Sequence, residues 1–211
     1  MRRAFTAVGL LGAAGGLCWL FPLFHLVPLQ RATEEKSAQV FDAARFAEKF
    51  WSERLPAAVP QAAPLDKLLP AIQADPAAAK KSYAHSFGMG DSYIYFVRGA
   101  GRIVSISGDE ISVAVSAGAT NAEIVLVTGM IFGNTLRDGT GLLSASDYPD
   151  SQDFNGIAAS LNKLAEARVL SALRTRGRVG AVVSFAGCAE VEDESTDLKP
   201  LKVIPIQAEV K

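Results

Sequence analysis

Chemistry-bearing residues are scarce in this chain, and so is charge at its start. Of 211 residues only two are histidines and two are cysteines. No charged residue stands between Arg3 and Arg31. Two cysteines, Cys18 in the apolar leader and Cys188 far downstream, build no disulfide framework and have no metal-ligand spacing. His25 lies in the leader, so a Ser-His-acid or Cys-His site would have to use His85, and no G-x-S-x-G elbow accompanies it. No catalytic residues, metal ligands or cofactor are expected. The formal net charge of −1 leaves no large field to bind nucleic acid or an anionic membrane.

What is present at the start is a greasy tract. Ala4 to Leu29 is uncharged and 26 residues long, preceded by Arg2 and Arg3. A helix of roughly 20 apolar residues crosses a bilayer core, and flanking arginines stay cytoplasmic. Residues 4–29 are therefore expected to meet the inner membrane as a single-pass anchor, with the body in the periplasm. Gly12, Gly15, Gly16, Pro22 and Pro28 make it an imperfect span. Lipidation at Cys18 ranks second, because Leu17 occupies a place where the signal peptidase needs a small residue. Ordinary cleavage ranks third, for want of a small-x-small site. A buried helix of a soluble protein would show a polar stripe, which this tract lacks.

Residues 30–37 read as a polar neck and 38–90 as a helical segment. Val40, Phe41, Ala44, Ala47, Phe50, Trp51 and Leu55 recur at helical spacing up to Pro56, which is expected to end the helix. Leu65, Leu68, Leu69 and Ile72 mark a second helix, and Asp75-Pro76 opens a third. From Ser92 the period becomes two. A first strand is expected from 93–97, broken or bulged at Gly99-Ala100-Gly101 and continuing through 102–107, followed by strands at 111–116 and 123–128. An amphipathic helix follows at about 154–173, then strands at 179–189 and 202–210, with Pro205 marking an edge or bulge. The chain is thus expected to be α+β. An N-terminal membrane helix and short helices precede a five-stranded, OB-like, partly open β-barrel over 91–211, with a helix between its third and fourth strands.

Gly129-Met130-Ile131-Phe132-Gly133-Asn134-Thr135 lacks the Gly-Lys-Ser/Thr ending of a phosphate loop. Continued through Leu136-Arg137-Asp138 it is still the most unusual segment. Arg137 offers a planar fork of donors and Asp138 an acceptor. Arg137, Asp138, Asn134 and Thr135 are the candidate residues for holding a small anion or sugar. The alternative is that Asn134 and Thr135 shape a turn and Arg137 ties a loop to the strands, and this structural reading is favoured. Asp147, Asp150 and Asp153 lack the glycine and terminal glutamate of a calcium loop and are read as a solvated loop in which Asp153 or a neighbour caps the next helix. Tyr93, Tyr95 and Phe96 have no basic patch beside them, so they are read as core and not as a stacking platform.

The ordered segments Phe41-Asp42-Ala43-Ala44 with Trp51, Val97-Arg98-Gly99-x-Gly101-Arg102-Ile103-Val104, Gly133-Asn134-Thr135-Leu136-Arg137-Asp138, Phe154 to Asn162, Val183-x-Phe185-x-Gly187 and Ile204-Pro205-Ile206 resemble the bacterial domain-of-unknown-function family 2291. That family is described as predicted periplasmic lipoproteins. The resemblance implies an extracytoplasmic tethered domain without established activity, associated with sugar-uptake transporters of the ATP-binding-cassette type. The chain departs from it at Leu17, before Cys18. The expected function is a non-enzymatic accessory to solute uptake. The alternative is a small-ligand sensor or enzyme centred on Arg137, Asp138 and His85.

Overall fold

The computed structural model describes residues 41–86, 91–148 and 150–211. The proposed span over residues 4–29 and the thiol of Cys18 lie outside them. Among the described residues no helix is long and apolar enough to cross a membrane. Residues 42–211 form one compact unit.

Helix α1 (Ala43–Lys49) opens on Asp42, whose carboxylate accepts from the Arg45 N–H at 2.9 Å. Pro56 does not end the helical path as its sequence position suggests. A π-helical turn over Phe50–Arg54 leads into α2 (Leu55–Ala58), where Pro56 sits in the first turn and its missing N–H leaves no gap. Strand β1 (Ala63–Pro64) follows, then α3 (Leu65–Ala74) and α4 (Pro76–Tyr83), the last capped by Asp75. Strand β2 (Ala84–Ser86) closes this half. The segment read as helices joined by a linker over residues 60–64 therefore also contributes two short strands.

Strand β3 (Tyr93–Ser107) runs unbroken through the glycines expected to interrupt it. It pairs along one side with β2, β1 and then β4 (Glu110–Ala114), and along the other with β6 (Val182–Val191). Its bulge falls just beyond the glycines, between Ile103 and Ser105. The glycines serve close approach instead. A Cβ at Gly101 would lie 2.4 Å from the Ala114 carbonyl oxygen, and one at Gly99 would lie 2.7 Å from Leu65.

Strand β5 (Ile124–Val127) pairs antiparallel with β4 and parallel with β7 (Leu201–Val210), and β7 pairs with β6. The circuit β3-β4-β5-β7-β6 thus returns to β3. Pro205 stands at an irregularity in the β6–β7 register, where its missing N–H is tolerated. Between β5 and β6 lie α5 (Thr135–Asp138), α6 (Ser151–Ala165), a π-helical turn over Glu166–Leu170, and α7 (Ser171–Arg176). Asp150 caps α6 through the Gln152 N–H at 2.7 Å.

Both faces of β3's first half are covered, so Tyr93 to Val97 are all buried instead of alternating. Tyr93 and Tyr95 meet edge to face at 5.2 Å, and Phe96 is 4% exposed, which places all three in the core. Leu65, Leu68, Ile103, Ile111, Ile124, Leu126, Ile157 and Leu161 fill the space between the strands and the helices.

Candidate functional site

Helix α5 is a single turn, and it brings Arg137 and Asp138 onto the surface of α6. The two residues form a fork-to-fork pair. Arg137 Nε donates to Asp138 Oδ1 at 2.6 Å and Nη2 donates to Oδ2 at 2.9 Å. Nη1 donates both to the Phe154 carbonyl and to Asn155 Oδ1, each at 3.2 Å. The guanidinium carbon stacks 3.6 Å from the centre of the Phe154 ring. Only 6% of the Arg137 side chain and 12% of the Asp138 side chain reach solvent. Four of the five guanidinium N–H groups are thus engaged within the protein, and the charge is balanced by the adjacent carboxylate.

The four candidate residues separate in space. Arg137 and Asp138 line a cleft of about 770 Å³ together with His85, Ser86, Ser144 and Phe154. Thr135 is buried outside its lining and donates through Oγ1 to Glu190 at 2.5 Å. Asn134 lines a neighbouring groove between the 130–134 loop and α6. His85, on β2 opposite Ile94, packs its ring over Gly141, whose added Cβ would lie 3.1 Å from His85 Nδ1. Gly141 has φ +67°, a left-handed conformation that favours glycine, and the missing Cβ leaves room for the imidazole.

The cleft therefore holds an imidazole, two hydroxyls and an ion pair already satisfied. Its polar groups suit hydrogen bonding to a neutral polar ligand better than capture of an anion, because Asp138 has already neutralised the cation. The thiol of Cys188 offers no nucleophile. It is wholly buried in β6, and desolvation pushes it up to about 12. Among the described residues no three His, Cys, Asp or Glu side chains are grouped to hold a metal ion.

Two features of the site were not read from the sequence. Glu166, at the π-helical turn, accepts from the Ile131 N–H at 2.8 Å and fixes the loop after β5. Met130 and Phe132 on that loop are 70% and 76% exposed. The available signal was an apolar triplet between two glycines, which draws the eye to its glycines first.

The model of the family described as predicted periplasmic lipoprotein, DUF2291, matches residues 14–209. The chain belongs to this family. The matched span of the DUF2291 lipoprotein family takes in Cys18, and its description agrees with an extracytoplasmic body behind an apolar leader. A crystal structure of an OB-fold protein from Thermotoga maritima is similar to this chain, with 26% identity and a TM-score of 0.70. The likeness covers 82% of this chain and 100% of that one. It agrees with the strand circuit of this DUF2291 member, in which three strands, a helical connection and two strands close through a parallel third-to-fifth pairing. No curated protein matches.

Proposed function

We propose that this chain is a membrane-tethered extracytoplasmic module that acts by binding, not by catalysis, as an accessory to sugar or solute uptake through an ATP-binding-cassette transporter. The observation that carries the reading is the state of Arg137 and Asp138. The most reactive-looking polar pair in the sequence is spent on holding α5 to α6. The transporter association comes from the family resemblance. Tethering runs through residues 4–29, as a single-pass segment of the inner membrane or by way of an acylated Cys18.

Affinity capture of the full chain from detergent-solubilised membranes tests the role. Reproducible recovery of a transporter's membrane-spanning subunit supports it, and recovery of no transporter component overturns it. Radiolabelled palmitate then separates the two tethers. Label that disappears in Cys18→Ala means acylation, and an unlabelled chain that still fractionates with membranes means the span.

A second reading, a sugar sensor, is favoured by one observation: His85, Arg137 and Asp138 do share one cleft. A rise in melting temperature with a monosaccharide, lost in His85→Ala, would support it. No shift across a panel of neutral sugars would remove it.

A further inference from the structure

The exposed large hydrophobic side chains among the described residues are Ile106, Met130, Phe132, Val179 and Val182, from 43% to 76% exposed. They come from three separate parts of the sequence, and short contacts tie those parts to one another. Thr128 donates its N–H to the Asp109 carbonyl at 2.7 Å, tying the Met130–Phe132 loop to the turn that follows Ile106. Arg174 donates to the Thr128 carbonyl at 2.6 Å, tying α7 to the same loop. A Cβ at Gly177 would lie 3.6 Å from Ile106 Cδ1, and the Gly180 N–H donates to the Ile103 carbonyl at 2.8 Å. Helix α7 and the loop to β6 therefore back onto the loop after β5 and the end of β3.

That backing segment is basic. Lys163, Arg168, Arg174, Arg176 and Arg178 fall within residues 163–178, against the single acid Glu166. Glu166 is spent on the Ile131 N–H, and Arg168 pairs with Glu48. Among the described residues Lys163, Arg174, Arg176 and Arg178 make no ion pair. Asp109 adds one negative charge at the turn, and Glu110 beside it is matched by Lys202 at 3.1 Å. Cations are thus in excess on an edge that also carries the exposed apolar side chains, in a chain whose net charge is only −1.

We infer that this edge docks on the surface of the anionic phospholipid bilayer to which the chain is tethered. Apolar side chains at loop tips enter the headgroup boundary while flanking arginines reach phosphates. Charge complementarity selects this occupant, and so does the place where the body begins. Ala43, in the first turn of the body, packs on Gly156, one residue from Asn155, which lines the Phe132 groove. The body thus starts on the helix that forms that groove. A tether converts weak surface contact into an intramolecular one, so a few side chains suffice. The inference rests on the tethering part of the proposed function and is independent of any transporter.

The test uses the full chain with Phe132→Trp, reconstituted into vesicles of phosphatidylglycerol and phosphatidylcholine with brominated acyl chains. A second sample carries the reference substitution Gln61→Trp. The native Trp19 and Trp51 are common to both samples, so the difference between them reads the added indole. Co-flotation with vesicles reads the tether, and bromine quenching reads docking. Docking predicts co-flotation with clearly stronger quenching of the indole at position 132 than of the one at position 61. The quenching at position 132 should weaken in pure phosphatidylcholine, in high salt and in Arg176→Glu, by about fivefold in docking equilibrium per cation removed. Co-flotation with position 132 no more quenched than position 61 overturns docking and leaves the tether standing. A chain that does not float overturns both. If the indole at position 132 is shielded only in a detergent-stable dimer that Phe132→Ser dissociates, the edge belongs to a second copy and the lipid assignment falls.

Discussion

At the residue scale, Arg137 separates a structural role from a ligand-binding one. The buried pair with Asp138 is a commitment that neither partner can leave alone. Removing one leaves the other charged, desolvated and short of partners, at a cost of about 3–5 kcal/mol. Urea unfolding of Arg137→Ala and Asp138→Asn should each show a loss of that order. The double variant Arg137→Met/Asp138→Leu should recover most of it, since replacing both members of a buried pair by apolar groups is close to neutral. If Arg137→Ala folds with wild-type stability, the lock is not what holds α5 to α6. Cys188 gives a second prediction at this scale. Desolvation makes the folded thiol hold its proton more tightly than the unfolded one, with its titration pushed from an ordinary 9.0 up to about 12. Its share of stability is thus complete below pH 9 and is lost as pH rises towards 12. Tyr93 and Tyr95, both also raised by burial, act in the same direction. Cys188→Ala should therefore flatten the first part of the alkaline loss of stability, measured by denaturant melts at stepped pH. In the native wild type, a maleimide should reach Cys188 only after unfolding.

At the element scale, the glycines of β3 show why local reading stops where it does. Glycine in a strand pattern signals a bulge, a break or close backbone approach, and the sequence does not say which, because the deciding neighbour is distant in the chain. Gly101 meets the Ala114 carbonyl and Gly187 meets the Ile204 carbonyl, each with a would-be Cβ at 2.4 Å. Backbone cannot step aside as a flexible side chain does. Gly101→Ala should therefore cost about 3 kcal/mol by forcing β3 from β4. Gly118, in an open turn with φ +80° and nothing within 4 Å of its would-be Cβ, should cost only about 1 kcal/mol on the same change. Thermal melts of the two variants check the ranking, and equal losses would mean that close approach is not the constraint. Helical spacing and the helix opening at Asp75-Pro76 were legible because they are local, and Asp42, Asp75 and Asp150 each receive an N–H from two or three residues downstream. Ala63-Pro64 was not legible as a strand, since two residues have no period and their partner, Val97-Arg98, lies more than thirty positions away. Arg137 was legible as an unusual donor beside an acceptor. That its remaining donors reach Phe154 and Asn155 depends on how α6 packs, which no spacing encodes.

At the scale of the whole molecule, the helical half and the strand circuit share one core. Phe50, Leu55, Leu65 and Leu68 from the first half are buried with Val97, Ile103, Leu126 and Val203 from the strands. Strands β1 and β2 are hydrogen-bonded to the same β3 that pairs with β4 and β6. Losing either half would strip the shared β3 of cover on one side, so partial unfolding exposes nearly as much apolar surface as complete unfolding. Residues 42–211 are a compact unit by themselves. A chain beginning at Asp42 should therefore unfold in a single transition, with calorimetric and van't Hoff enthalpies in agreement. Its midpoint should match that of the body in the full-length protein to within a few degrees, given that about 1 kcal/mol moves the midpoint of a domain this size by 2–4 °C. On Triton X-114 phase separation the truncated chain should enter the aqueous phase and the full-length chain the detergent phase. Two resolved transitions would divide the core between the halves. A full-length chain left in the aqueous phase would take away the tether, and with it the reason an extracytoplasmic body should stay at the membrane.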